Sequence, residues 1–331
     1  MKLKQNHTGN KTAQLNAWDK TFYLNMEHLQ KSGIDENKLK EYFPVSHVKE
    51  AIMQIYQNLL GLKFKLVEGA EVWHEEVRCY EVRDKESSEV VGHFYLDLFP
   101  RPNKFNHAAA FSLLPRARVD GRVLTGAVAL VTNFSPAGKG EEALLMHREV
   151  VTFFHEFGHV MHHMCSEANY ARFSGTAVER DFVEMPSQML ENWIWDKDIL
   201  KLVSKHYKTG ESLPDDLIDK KIRSKNENAA LNTLNQLFRS IFDFLIYSAS
   251  DKKLLASADS SQIAQWRRAI KFKDNGLLDT EALWHKLASE IEDSVPFPGT
   301  NPVATFGHII SGYESKYYSY LWAQVYSCDI F

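Results

Sequence analysis

Residues 155 to 159 read HEFGH, inside the largely apolar stretch VVTFFHEFGHVMHHMC. Burying four histidines and a glutamate on such a segment is costly unless a partner compensates them. On a helix, positions four apart lie one turn along the same face, so His155 and His159 aim both imidazoles at one point. That geometry suits a divalent metal, and zinc in hydrolytic sites takes three protein ligands and keeps a fourth position open. Glu156 is turned aside from the pair yet within reach of an attacking water, the general-base position of the HExxH pattern. Phe153, Phe154, Phe157, Val160 and Met161 surround the polar triad with apolar surface, and Gly158 permits close approach of another segment.

The third ligand has local and distant candidates. His162 follows His155 by seven residues, which places it roughly 10 Å along the axis, too far for one tetrahedral centre to bind both. It reads better as a histidine beside the ligands or facing substrate, while His163 points elsewhere and is solvated or packed. A carboxylate from the next helix is the alternative. The stretch RDFVEMPSQMLENWIWD supplies Glu184, 25 residues after His159, with Pro186 in the first turn of an apolar-periodic helix. An acid at a helix start is also favoured simply by the macrodipole, so spacing alone leaves ligand and capping acid both open.

The elements that must carry these residues can be read from periodicity. Residues 36–61 show helical spacing, with Gly61 as an end signal. EVRCYEV and VVGHFYLDLF, separated by DKESSE, predict a hairpin, and HAAAFSL and LTGAVALVTNF predict further strands. After Gly140 the pattern is helical: 141–165, 183–196, then several helices between Pro214 and Asp293 and one running to Phe331, with breaks at 174–178, 272–276 and 296–302. The expectation is a mainly α chain with a small antiparallel-leaning sheet (α+β). It forms a single region over 1–331: helix and sheet about 36–134, site helices about 141–196 and a helical remainder about 199–331.

Composition narrows the partners. With 44% apolar and 25% charged residues and a net charge of -4, nothing points to nucleic acid. The most apolar run, Val123 to Phe134, is about a dozen residues against the roughly 20 a spanning helix needs, so no membrane partner is expected. The start, MKLKQNHTGNKTAQLNAWDK, lacks the apolar core of a secretory signal. Cys79, Cys165 and Cys328 are odd in number, widely spaced and without CxxC, which argues for a reducing compartment and for a metal held by imidazole and carboxylate.

The run FFHEFGHVMHHMCSEANYARFSGTAVERDFVEMPSQMLENWIWD resembles the active-site core of the thimet oligopeptidase and neurolysin family of zinc metallopeptidases. The resemblance extends through EYFPVSHVKEAIMQIYQNLLGLKF, FYLDLFPRPNKFNHAA and ALVTNFS to PGTNPVATFGHIISGYESKYYSYLWAQVYSCDIF. It implies a zincin-like catalytic region and one zinc ion held by His155, His159 and Glu184, with Glu156 activating water. It also implies that Tyr313, Tyr320 and His308 polarise the scissile carbonyl, with Tyr317 and His162 near substrate. Without the resemblance, Tyr313, Tyr317 and Tyr320 read as a core stripe. The implied activity is a metalloendopeptidase acting on short peptides, cytoplasmic or in a mitochondrial form, with monomeric full-length members.

Against the family pattern the chain reads as truncated at both ends, and KLLASADSSQIAQWRRAIKFKDNGLLDT (253–280) reads as an insertion. The competing expectation is therefore an inactive fragment that binds zinc or peptide without turnover.

Overall fold

The computed structural model describes residues 1–138, 140–248, 262–268, 270–293, 297 and 299–331. The described helices, in chain order, are α1 (Lys2–Thr8), α2 (Lys20–Ser32), α3 (Glu36–Leu39), α4 (Val45–Leu60), α5 (His147–Met164), α6 (Arg180–Glu191), α7 (Lys197–Val203), α8 (Asp215–Arg223), α9 (Ala229–Ser248), α10 (Gln262–Arg268), α11 (Thr280–Glu292) and α12 (Ser319–Ile330). The strands are β1 (Leu62–Leu66), β2 (Arg78–Asp84), β3 (Val90–Asp97), β4 (Ala109–Leu114), β5 (Ala117–Val119), β6 (Arg122–Leu124) and β7 (Gly126–Val131). The class is α+β, as the periodicity predicts. The chain divides into two compact units, Met1–Gly33 with Asn226–Trp322 and Ile34–Lys225 with Ala323–Phe331.

The unit built on Ile34–Lys225 holds a five-stranded sheet in the order β1-β2-β3-β7-β4. β2 and β3 form the anticipated hairpin. β3 and β7 run parallel while every other pairing is antiparallel, so the sheet is mixed. β7 lies between β3 and β4 and is almost continuously buried, which explains its unbroken apolar sequence. β5 and β6 form a separate ribbon closed by Asp120 and Gly121, both at positive φ (49° and 76°). The Asp-Gly pair favours that turn and was the signal for a ribbon that the periodicity reading passed over.

Against the sheet lies α5, buried through Val150, Phe153, Phe154, Phe157, Val160 and Met161. α4 packs beside it, where the Tyr56 hydroxyl donates to Phe154 O at 2.8 Å. The spacing placed the start of α5 near Glu141, but the helix begins at His147. The preceding residues are extended because they pair with the segment entering α4: Val45 N donates to Ala143 O and Leu145 N to Phe43 O, both at 2.8 Å. Glu149 then satisfies the first turn by accepting from Met146 N at 2.7 Å. α6 also departs from expectation. It starts at Arg180, so Pro186 sits inside the helix rather than in its first turn.

The other unit has its own core of Phe238, Phe242 and Leu245 from α9 against Leu283 and Leu287 from α11. The Trp284 ring lies 4.6 Å from Phe238 and 4.9 Å from Phe242. α1 and α2 belong here and had no counterpart in the periodicity reading. The expected insertion 253–280 falls partly outside the described residues; within it lie α10 and an isolated bridge between Phe272 and Leu278. Among the described residues no helix is long and apolar enough to cross a membrane.

Candidate active site

α5 and α6 pack side by side at one unusually close point. A Cβ at Gly158 would stand 2.9 Å from Ser187 Cα, so only glycine allows the two backbones to meet between the histidines of HEFGH. Within α6, Pro186 lacks an N–H, and the Ser187 hydroxyl donates to Glu184 O at 3.0 Å. The close crossing brings Glu184, in the second turn of α6 and 3% exposed, against the histidine pair. Its Oε2 lies 3.3 Å from His155 Nε2 and 3.2 Å from His159 Nε2. The two imidazoles are 4.9 Å apart between ring centres and nearly perpendicular.

One potential ligand atom from each of these three residues falls within 4.8 Å of the others. Two donors each about 2.0 Å from a tetrahedral ion stand about 3.3 Å apart, so the donor set and its spacing fit zinc. His155 Nδ1 faces Glu191 Oε2 at 3.1 Å, seven residues after Glu184 on α6. A carboxylate on Nδ1 holds the ring so that Nε2 faces the would-be metal. Glu191 was not singled out from the sequence, although its i, i+7 relation to Glu184 puts it on the same helix face. Burial opposes charge on His155, but the bonds to Glu184 and Glu191 prevail and push its pKa up to about 10. For Glu184 burial acts to raise the value, and the bonds from His155 and His159 outweigh it and hold the carboxyl well below the usual range.

Glu156 is buried on the adjoining face, where burial raises its pKa against the pull of His155 and His159 and a bond from the Ala110 backbone on β4. A carboxyl held above its ordinary value beside a metal cradle is suited to take a proton. His162 is partly buried and pushed down to about 4, first by burial and then by His159 and His163, so it is a neutral imidazole at pH 7. It lies outside the three-residue cluster.

His308, Tyr313, Tyr317 and Tyr320 belong to the other unit and form their own cluster. His308 Nε2 is 3.2 Å from the Tyr320 hydroxyl, and the Tyr313 and Tyr320 rings stack at 5.4 Å. Tyr317 is 4% exposed and packs on Phe306 within the core. The segment is gripped by α9: Asp243 accepts from Ser315 N and Tyr317 N, each at 3.0 Å, and the Tyr247 hydroxyl donates to Ile309 O. Ser315 holds φ 62° at this clasp. No sequence signal marks Asp243, which lies 72 residues before Ser315.

A paired-histidine helix crossed by an acid-bearing helix brings together three residues that fit a metal site. The chain belongs to peptidase family M3, whose model matches residues 1–331. It is 41% identical to a thimet-like oligopeptidase of Dictyostelium discoideum over 95% of this chain and 44% of that protein. Saccharolysin of Saccharomyces cerevisiae is 38% identical over 95% and 42%, and oligopeptidase A of Escherichia coli 36% over 96% and 44%. The chain thus spans less than half the length of the curated relatives it matches.

Proposed function

We propose that this chain carries the catalytic region of a zinc-dependent metalloendopeptidase that hydrolyses short oligopeptides. The observation that carries the reading is the convergence of His155, His159 and Glu184 from two helices on one point, with Glu156 beside it. Zinc, held by those three residues, would supply Lewis acidity to polarise the scissile carbonyl and ease deprotonation of water. Glu156 takes the proton from the attacking water and passes it towards the leaving amine. Tyr313 and Tyr320, with His308, are assigned the donation of hydrogen bonds to the oxygen on which negative charge develops. His162 is assigned to the substrate side; Tyr317, expected there too, is buried against Phe306 and so is assigned to supporting Tyr313 and Tyr320 from the core.

β4 supports a peptide substrate. It is the last strand of its sheet, it exposes Phe111, Leu113 and Leu114, and its Ala110 touches the general base. An extended peptide can add to such an edge through main-chain hydrogen bonds. The competing reading is a chain that binds zinc or peptide without turnover.

One comparison separates them. Glu156→Gln is expected to retain one equivalent of zinc while hydrolysis of a short quenched peptide falls by about 10² to 10⁴. Equal rates in the two proteins remove Glu156 from the mechanism, and stoichiometric zinc with no cleavage by the wild type favours the binding-only reading.

A further inference from the structure

β4 touches the zinc-site helix through two polar contacts. The Ala110 N–H donates to the Glu156 carboxylate, and His163 Nε2–H donates to Leu114 O at 3.0 Å. Glu156 and His163 are seven residues apart, two turns along one face of α5, so the helix grips both ends of the strand. The far end needs the grip. Ser112 pairs with Val128 but Leu114 with Ala127, which leaves Leu113 as an extra residue in the ladder. A bulge of this kind bends the strand and disrupts pairing locally, so ladder bonds alone hold that end weakly.

His163 is built in. It is 1% exposed, and a Cβ at Gly175 (φ 60°) would stand 2.5 Å from its Nδ1, while one at Gly126 would stand 3.3 Å from its Nε2. Two glycines therefore leave room for the ring in one orientation, with Nε2 towards an oxygen that can only accept. Burial lowers the pKa of His163, which keeps it neutral. Beyond Pro115 the chain is secured separately, by the Ser174 hydroxyl donating to Arg116 O and by Arg116 donating to Ser166 O at 2.9 Å.

We propose that His163 is a positioning residue: by tying the bulged end of β4 to the helix that carries HEFGH, it sets the register in which a peptide added to the strand's free edge meets Glu156. The proposal rests on the peptidase reading above. It concerns a histidine that touches neither the metal cluster nor the substrate.

The test uses the zinc-loaded full chain with His163→Leu, His163→Asn and His163→Gln. A glutamine amide can reach and donate to Leu114 O, an asparagine is too short, and leucine cannot donate. In the leucine and asparagine variants the backbone amides of Phe111 to Leu114 are expected to exchange about tenfold faster, the equivalent of one hydrogen bond. KM for a short peptide rises by a similar factor, kcat changes less, and zinc stays at one equivalent; glutamine restores both quantities to within about threefold. Exchange and KM unchanged in the leucine and asparagine variants overturn the proposal, as does a glutamine variant as impaired as asparagine. If leucine prevents folding, the asparagine and glutamine pair decides. A wild type that cleaves nothing counts against the peptidase reading, while the exchange comparison still decides the role of His163.

Discussion

At the scale of single residues the site is an arrangement of donors whose orientation is set by other residues. His155 is held from behind by Glu191, so its Nε2 is committed to the centre before any metal arrives. Removing that carboxylate in Glu191→Ala is expected to weaken zinc binding by 10- to 100-fold, as measured by competition with a chromogenic chelator. An unchanged affinity shows that helix packing alone orients the ring. Glu184 answers the question that spacing left open. A capping acid belongs in the first turn of its helix, but Glu184 lies in the second turn and is buried against two imidazoles. The motif histidines and Glu156 were legible because a helical repeat places them without any knowledge of the rest. Glu191 and His163 were not, since each matters only through a partner that no local pattern identifies: His155, 36 residues away, and Leu114, 49 residues away.

At the scale of elements the decisive feature is the contact of α5 with α6 at Gly158. The sequence reading allowed a close neighbour there, and Ser187 is that neighbour. The atom that an added Cβ would meet is backbone, so it cannot swing aside. Gly158→Ala is therefore expected to push the helices apart and cost about 1–3 kcal/mol of stability, read from urea unfolding. Zinc affinity should fall with it, because the two histidines and Glu184 sit on opposite sides of the strained contact; an alanine variant with native stability and affinity contradicts this account. Element identity was largely legible, whereas boundaries were not. α5 starts late because 143 and 145 bond to residues near 44, and α6 starts early because a proline at its seventh position is tolerated. Both outcomes follow from competition between local preference and non-local bonding.

At the scale of the whole molecule, stability and chemistry are carried by different groups. In the unit holding the sheet, Asp97 at the end of β3 is 2% exposed and accepts from Arg101 at 2.6 and 2.8 Å and from Trp73 at 2.8 Å, with Lys104 Nζ also 2.8 Å away. Lys104 in turn donates to Phe99 O and Thr132 O, tying the loop to the segment that follows β7. Burial acts to raise the Asp97 pKa, but the bonds from Arg101, Lys104 and Trp73 outweigh it and hold the carboxyl well below the usual range. A folded value below the unfolded one means that this stabilisation is complete above about pH 4 and fades as the pH falls further. The urea midpoint should therefore hold level above about pH 4 and drop progressively as the pH is lowered below it. Asp97→Asn should lose about 3–5 kcal/mol at pH 7 by stranding the buried Lys104 ammonium and the partly exposed Arg101; a variant as stable as the wild type at pH 7 shows the network to be dispensable.

By itself the sequence determined the α+β class, the helix bearing HEFGH and the placing of His155, His159 and Glu156 around it, because all of these follow from periods of two and 3.6 residues acting over a few turns. Only the tertiary structure decided that Glu184 faces the histidines, that Glu191 and His163 steady the parts on either side, and that β4 is the exposed edge. Those relations join residues tens of positions apart, and a distance along the chain carries no distance in space until packing, here a glycine admitting a neighbouring helix, converts one into the other.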